Sequence, residues 1–292
     1  MDILSEKQHW DLVHQQHQAP TASPAAGLGG ERKSWRRRCT AWLKRRLGER
    51  GVRWILQSHH DHIYWNTIVK KYFPDLRGAR FLEVGSAPGE LLVKHHQALG
   101  CVPFGIDYSE PGVEANRQVF RAQGLNPDNV FCADFFGEAF QAQHRESFDV
   151  VFSAGFIEHF TDARRVVDHH LNLLKPGGYL VIGIPNLRGV NYWLLRAFYK
   201  ELLDIHNLDI MRRSAFAQLF DASKVERRFC DYYGTLSLDI VAARDDSPLR
   251  SVLAAMKKLG IIGNLCLRLL LRNRTLDTPL TSPFLMFVGK KK

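Results

Sequence analysis

The sequence predicts an α/β protein built on a doubly wound, mostly parallel sheet, and three observations carry that prediction. Short, continuously apolar runs, ARFLEVG, CVPFGID, NVFCAD, FDVVFSAG and YLVIGIPN, recur from residue 79 onward. Helix-length stretches separate them, the pattern of strands covered on both faces. A glycine turn follows the first run and acidic residues close the second and third, as in open sheets that bind a ligand at the carboxyl edge of the strands.

Taken in order, residues 3–17 read as a short helix, and PTASPAAGLGG (20–30) is an uncharged Pro/Ala/Gly linker. Ser34 to Leu47 projects onto a helix with Trp35, Cys39, Trp42 and Leu43 on one side and Arg37, Arg38, Lys44 and Arg45 opposite. A second helix runs from Trp54 to Phe73, where Pro74 stops it. The five apolar runs follow as strands, with two more expected near Arg228–Val241 and Ser282–Gly289 and a helical insert, 247–274, between them. The chain therefore divides into an N-terminal helix and linker (1–30), basic and lid helices (31–78) and the α/β domain (79–292).

Charge is distributed unevenly. The total is +10, but residues 31–53 hold ten Arg/Lys against Glu31 and Glu49, and residues 247–274 hold six basic residues and no acidic one. With those segments and the Lys290–Lys292 tail set aside, the rest is mildly acidic. A nucleic-acid enzyme carries its positive charge on the face that holds the phosphates, so nucleic acid is disfavoured as a partner. Five cysteines stand singly with no CxxC pair, and the N-terminus lacks the apolar core of a signal peptide. A reducing, cytoplasmic setting is expected.

In FLEVGSAPGELL (81–92) Gly85 and Gly89 let the backbone approach a ligand closely. A dinucleotide fingerprint wants glycines at 85, 87 and 90, and this chain has Gly85, Ala87 and Glu90. A phosphate loop is excluded as well, because no Gly-Lys-Ser/Thr ending is present. Glu83, Asp107 and Asp134 stand at or near the carboxyl ends of the first three strands, where they converge on one crevice. A carboxylate at the second strand end accepts hydrogen bonds from two ribose hydroxyls, and Asp134 can accept from an adenine amine. Each acid alone also suits a strand-end cap.

With LEVGSAPGE, GIDYS, CADFF, FDVVFSAGFIEHFTD and LLKPGGYLVIGIPN in this order, the sequence resembles class I S-adenosylmethionine-dependent methyltransferases, of the ubiquinone-pathway or small-molecule O-methyltransferase kind. The match runs from about Phe81 to Asn186. The resemblance implies a seven-stranded sheet whose last strand is antiparallel, and S-adenosyl-L-methionine as cofactor. It implies Glu83 near the methionine amino end, the turn with Gly85, Ser86, Ala87 and Gly89 under the cofactor, Asp107 on the ribose, and Asp134 with Phe135 at the adenine. Tyr108 and Ser153 complete the expected cofactor-binding set. Ala87 departs from the glycine more usual in the family.

Methyl transfer from a sulfonium requires an acceptor lone pair aligned with the methyl and, for a hydroxyl, removal of a proton. His159, beside Glu158 in GFIEHFTD after the fourth strand, suits a general base; the alternative is a ring that packs or caps a helix. His206 and Asn207 in LLDIHNLDIM form a second acceptor-side candidate, with Tyr192, Trp193, Phe198 and Tyr199 as an aromatic wall. The cluster His59, His60, Asp61 and His62 lacks a partner at metal-ligand spacing, so no metal is expected. Ubiquinone-pathway relatives, some of which use a divalent ion, keep the question in view.

The resemblance and these residues lead to an expectation of oxygen methylation of a small-molecule, lipid-linked or saccharide acceptor. Nitrogen or carbon transfer to a small metabolite, a non-catalytic binding module and an RNA-directed enzyme gripping through residues 31–53 are the alternatives. In 247–274 the basic residues occupy one sector of a helix and the apolar ones face away, a helix breakable at Gly260 or Gly263. Together with residues 31–53 it predicts a peripheral contact with an anionic membrane surface. Oligomeric state is not encoded legibly.

Overall fold

A computed structural model of the chain describes residues 57–244 and 247–292, together with Ile3, Leu4, Asp11, Arg45, Arg46, Gly48, Gly51, Val52, Trp54 and Ile55. The expected helices over 3–17 and 34–47 and the linker 20–30 fall almost wholly outside the described residues. Seven strands make one sheet in the order β3-β2-β1-β4-β5-β7-β6. They are β1 (Arg80–Val84), β2 (Val102–Asp107), β3 (Val130–Cys132), β4 (Phe148–Ala154), β5 (Leu174–Pro185), β6 (Val225–Tyr233) and β7 (Phe284–Lys291). Pairs among β1 to β5 are parallel, whereas β7 runs antiparallel to both β5 and β6.

Helices cover both faces. N-terminal to the sheet lie α1 (His59–Ile63), a π-helical stretch (Tyr64–Ile68) and α2 (Val69–Tyr72). Trp54 and Ile55 are helical, and the helix expected over Trp54 to Phe73 is interrupted at Gln57 and Ser58, where Ser58 caps α1 by accepting from the Asp61 amide. The crossovers are α3 (Glu90–Leu99), α4 (Glu110–Ala122), α5 (Glu138–Gln143) and α6 (Ala163–Leu173). After β5 come α7 (Val190–Phe198), α8 (Glu201–Asp204) and α9 (Arg213–Gln218), and α10 (Arg250–Leu271) precedes β7. Two cores result, one holding Leu82, Val151, Leu180 and Leu285, the other Phe81, Val150, Val181 and Val288. Adjacent residues of β1, β4, β5 and β7 thus point into opposite cores, which is why these strands read as unbroken apolar runs.

Two sequence expectations are corrected here. The sixth strand begins at Val225 and ends at Tyr233, because Gly234 turns the chain with φ of 103° and lies against the Cβ of His60. The insert is one uninterrupted helix of 22 residues despite Gly260 and Gly263. It packs on α1, where Asn264 Oδ1 accepts from the His59 amide and Asn273 Oδ1 from His62 Nε2. Among the described residues no helix is long and apolar enough to cross a membrane.

Candidate functional site

Strand order reverses between β1 and β4, and the crevice at their carboxyl ends is where a doubly wound sheet accepts a ligand. At the end of β1 the Gly85 and Ser86 amides both donate to the Ile106 carbonyl, at 2.9 and 3.2 Å, folding the turn against β2. Gly89, the residue before α3, has φ of 94°, and a Cβ there would stand 2.1 Å from Asn116 Oδ1. No side chain fits, so glycine is required by space as well as by conformation. Asn116 in turn donates to Ser86 Oγ at 2.7 Å, both residues being buried.

Asp107 spans the crevice. Its carboxylate accepts from the Ala87 amide at 3.3 Å and from the Ser109 amide at 2.9 Å, so the acid and the glycine turn move as one unit. Glu83 is buried on β1 with Oε2 lacking a partner among the described residues, and burial pushes its carboxyl up to about 8. An orphaned buried carboxyl oxygen beside a glycine turn fits a ligand ammonium. Tyr108 is half-buried, its hydroxyl raised to about 12 mainly by burial.

The other expected cofactor residues are placed differently. Asp134 is exposed and accepts from the Phe136 amide at 2.9 Å, an acid-capped turn after β3. Phe135 is buried, its ring edge-on to Phe156 at 5.6 Å. Ser153 lies fully buried in β4, in register with Val84 beside the glycine turn, with Oγ 3.1 Å from His170 Nε2. His170 Nδ1 donates to the Val166 carbonyl, so Nε2 accepts from the serine.

Beyond the ends of β4 and β5 lies a cavity of about 520 Å³, lined by Glu158, His159, His206, His60, Tyr64 and Tyr233 among largely apolar neighbours. Glu158 and His159 sit on a 3-10 turn (Ile157–His159) directly after β4. His159 Nδ1 donates to the Ile205 carbonyl at 3.0 Å, and His206 Nδ1 to the Leu202 carbonyl at 2.6 Å. Each neutral ring therefore carries its lone pair on Nε2. Asn207 fixes the approach of the two loops: its amide donates to the Glu158 carbonyl at 2.6 Å and its side chain to the Phe160 carbonyl at 3.1 Å. Burial pushes Glu158 up to about 8, and Oε2 has no partner among the described residues.

One ligand atom from each of Glu158, His159 and His206 lies within 4.8 Å of the other two, so this trio could hold a metal ion. The His59–His62 cluster does different work. His59 is fully buried and held near 4 chiefly by burial, while His62 bonds to Asn66 and to Asn273, just past the end of α10.

The expected aromatic wall is also replaced. Trp193 is 66% exposed, and Phe198 belongs to the core instead. Aromatic walls of the cavity come from Tyr64, Phe152, Tyr233 and Phe284. No local sequence signal marks them, because their segments meet only in the folded sheet.

Residues 58–232 match the family model described as a methyltransferase domain. A ubiquinone biosynthesis O-methyltransferase of Thiobacillus denitrificans is 30% identical over 119 residues, 41% of this chain and 50% of that protein. The protein of the same name from Shewanella sp. is 28% identical over 109 residues, 37% of this chain and 44% of that one. The chain thus spans about half the length of the curated relatives it matches. A solved geranyl diphosphate C-methyltransferase of Streptomyces coelicolor, in complex with Mg2+, geranyl diphosphate and S-adenosyl-L-homocysteine, shares the fold with a TM-score of 0.51 at 12% identity, covering 78% of each chain.

Proposed function

The chain belongs to this methyltransferase family, whose donor is S-adenosylmethionine, and from that premise we propose that it methylates a hydroxyl oxygen on a small, amphiphilic or lipid-linked acceptor. The observation that carries the reading is the cavity of about 520 Å³, apolar over most of its wall and polar where Glu158, His159 and His206 meet. Its size suits a small molecule with one reacting group. The O-methyltransferase names of the matched relatives agree with an oxygen acceptor.

On the donor side, Glu83 would hold the methionine ammonium, the turn from Gly85 to Gly89 would leave room for the cofactor backbone, Asp107 would accept from the ribose hydroxyls, and Asp134 with Phe135 would border the adenine. When bound, the cofactor supplies an activated methyl for an in-line displacement. His159 removes the acceptor's proton: the Ile205 carbonyl fixes its tautomer with Nε2 as the basic nitrogen. His206 lies ring against ring with it and polarises the same end of the cavity. Leu187, Ile184 and Met286 exclude water from the remainder.

A second reading rests on the trio itself. Two imidazole nitrogens and a carboxyl at mutual ligand distance suit a divalent ion, which would orient an acceptor bearing two neighbouring oxygens. Dialysis against a chelator separates the two: retained turnover supports His159 as a metal-free base, and loss restored by Mg2+ or Mn2+ supports the ion.

The test of the function is transfer of radiolabelled methyl from S-adenosylmethionine to hydroxylated aromatic acceptors with and without apolar tails. Label in an ether product is the expected result. Label appearing only on amine or carbon acceptors would overturn the oxygen reading, and no donor binding by folded protein would overturn the donor assignment.

A further inference from the structure

Helix α10 turns a mixed face toward the protein, Leu253 and Met256 together with Arg268, and a largely apolar face outward. Leu253 and Arg268 are its two buried residues, and Arg268 donates from Nη1 to the Gln57 carbonyl while its guanidinium lies 4.2 Å from the Trp54 ring centre. Lys257 and Asn264 are half-buried on the same side. The opposite arc, about 100° wide at 3.6 residues per turn, carries Val252, Leu259, Ile262, Leu269 and Leu270, all exposed. Leu259 is 68% exposed, Ile262 62% and Leu270 80%. Leu276 and Leu280, beyond the helix, are exposed as well. Arg268, near the C-terminal end of the helix, is its one buried basic residue.

We propose that this ridge docks on an anionic lipid bilayer, with the helix lying in the plane of the interface. A contiguous row of exposed aliphatic residues on a monomer marks an interaction surface. Charge selects the occupant: residues 247–274 carry six basic residues and no acidic one, and exposed Lys258 borders the ridge, with exposed Arg272 at the helix end. A second copy of the chain would bring these cations face to face with no acid on the helix to offset them, whereas anionic headgroups complement them while acyl chains receive the leucines. The ridge also lies one helix from the cavity, because α10 packs on α1 and α1 contributes His60 and Asp61 to its wall. Docking thus sets the cavity wall close to the bilayer, where an amphiphilic acceptor resides. The binding itself does not depend on the methyl-transfer reading.

The experiment is flotation of the full chain with vesicles of phosphatidylcholine containing phosphatidylglycerol, against phosphatidylcholine alone. The wild type floats with the anionic vesicles, less so at high salt, and Leu259→Glu/Leu270→Glu lowers the floating fraction at least about tenfold. The variant retains the basic segment 31–53, so it isolates the helix. Thermal melting and donor binding report whether it folds, and Leu270→Glu or Lys258→Glu alone repeats the test with a single exposed change. A wild type that stays off anionic vesicles, or variants that float equally well, overturns the proposal. So does a wild-type dimer that the variant converts to monomer while neither floats, which assigns the ridge to a second copy.

Discussion

The imidazole rings of His159 and His206 lie with centroids 4.5 Å apart, one from the turn after β4 and the other from the turn after α8. Each donates Nδ1–H to a main-chain carbonyl of the same short segment, Leu202 to Ile205, so the segment sets both tautomers at once. A general base contributes about 100- to 10,000-fold to turnover. His159→Ala therefore lowers kcat at least about 100-fold with the donor Kd unchanged, measured by label transfer and calorimetry. His206→Ala costs less and shifts the pH profile of kcat. A loss of donor affinity in His159→Ala would make the ring a prop under the cofactor instead of a base.

Asp107 holds the glycine turn through the Ala87 amide and the start of α4 through the Ser109 amide, at the strand end where the proposed function puts the ribose hydroxyls. Asp107→Ala weakens S-adenosylmethionine binding by more than about tenfold, the scale of a charge-assisted hydrogen bond. Asp107→Asn, which keeps the acceptor oxygen but not the charge, falls between the two. Calorimetric titration with a melting control checks both, and unchanged affinity in a folded Asp107→Ala protein refutes the ribose role.

Strands were legible wherever both faces are buried, since β1, β4 and β5 then appear as apolar runs of strand length. The glycine turn was legible for a related reason: Gly85 and Gly89 follow β1 directly, and Asp107 ends the adjacent strand. The acceptor side was only half legible. Glu158 and His159 stand in a local motif, but His60 with Tyr64, Tyr233 and Phe284 reach the cavity from three parts of the chain far apart in sequence. The sequence pattern separated the two arcs of α10 without saying which one packs, because both are coherent. Which one packs is settled by Arg268 finding the Gln57 carbonyl and the Trp54 ring.

Glu83 makes donor binding depend on pH in a defined direction. Burial raises its carboxyl to about 8, so the ligand-free protein holds it protonated at neutral pH. A bound ammonium favours the carboxylate, and binding then releases a proton. Affinity for S-adenosylhomocysteine rises by up to about tenfold per pH unit below 8 and levels off above it. Titrations in buffers of different ionisation enthalpy read the proton directly. Glu83→Gln abolishes both the release and the slope; a release that persists in the variant would place the ammonium elsewhere.

Glu158 gives a second pH effect, on stability. Its carboxyl is 1% exposed and raised from an ordinary value of 4.5 to about 8 by burial, so folding favours the protonated form. The contribution is fully present below about pH 4.5, drains as the pH rises and is gone once the folded group ionises near 8. Glu158→Gln keeps the shape without the ionisation. Its melting temperature relative to wild type therefore climbs between pH 5 and about 8 and is constant above that. A difference that is flat across this range would mean that Glu158 is already charged in the folded chain, held by a partner such as a bound cation at the trio with His159 and His206. Repeating the melts after chelation distinguishes that case, because removal of the cation restores the slope.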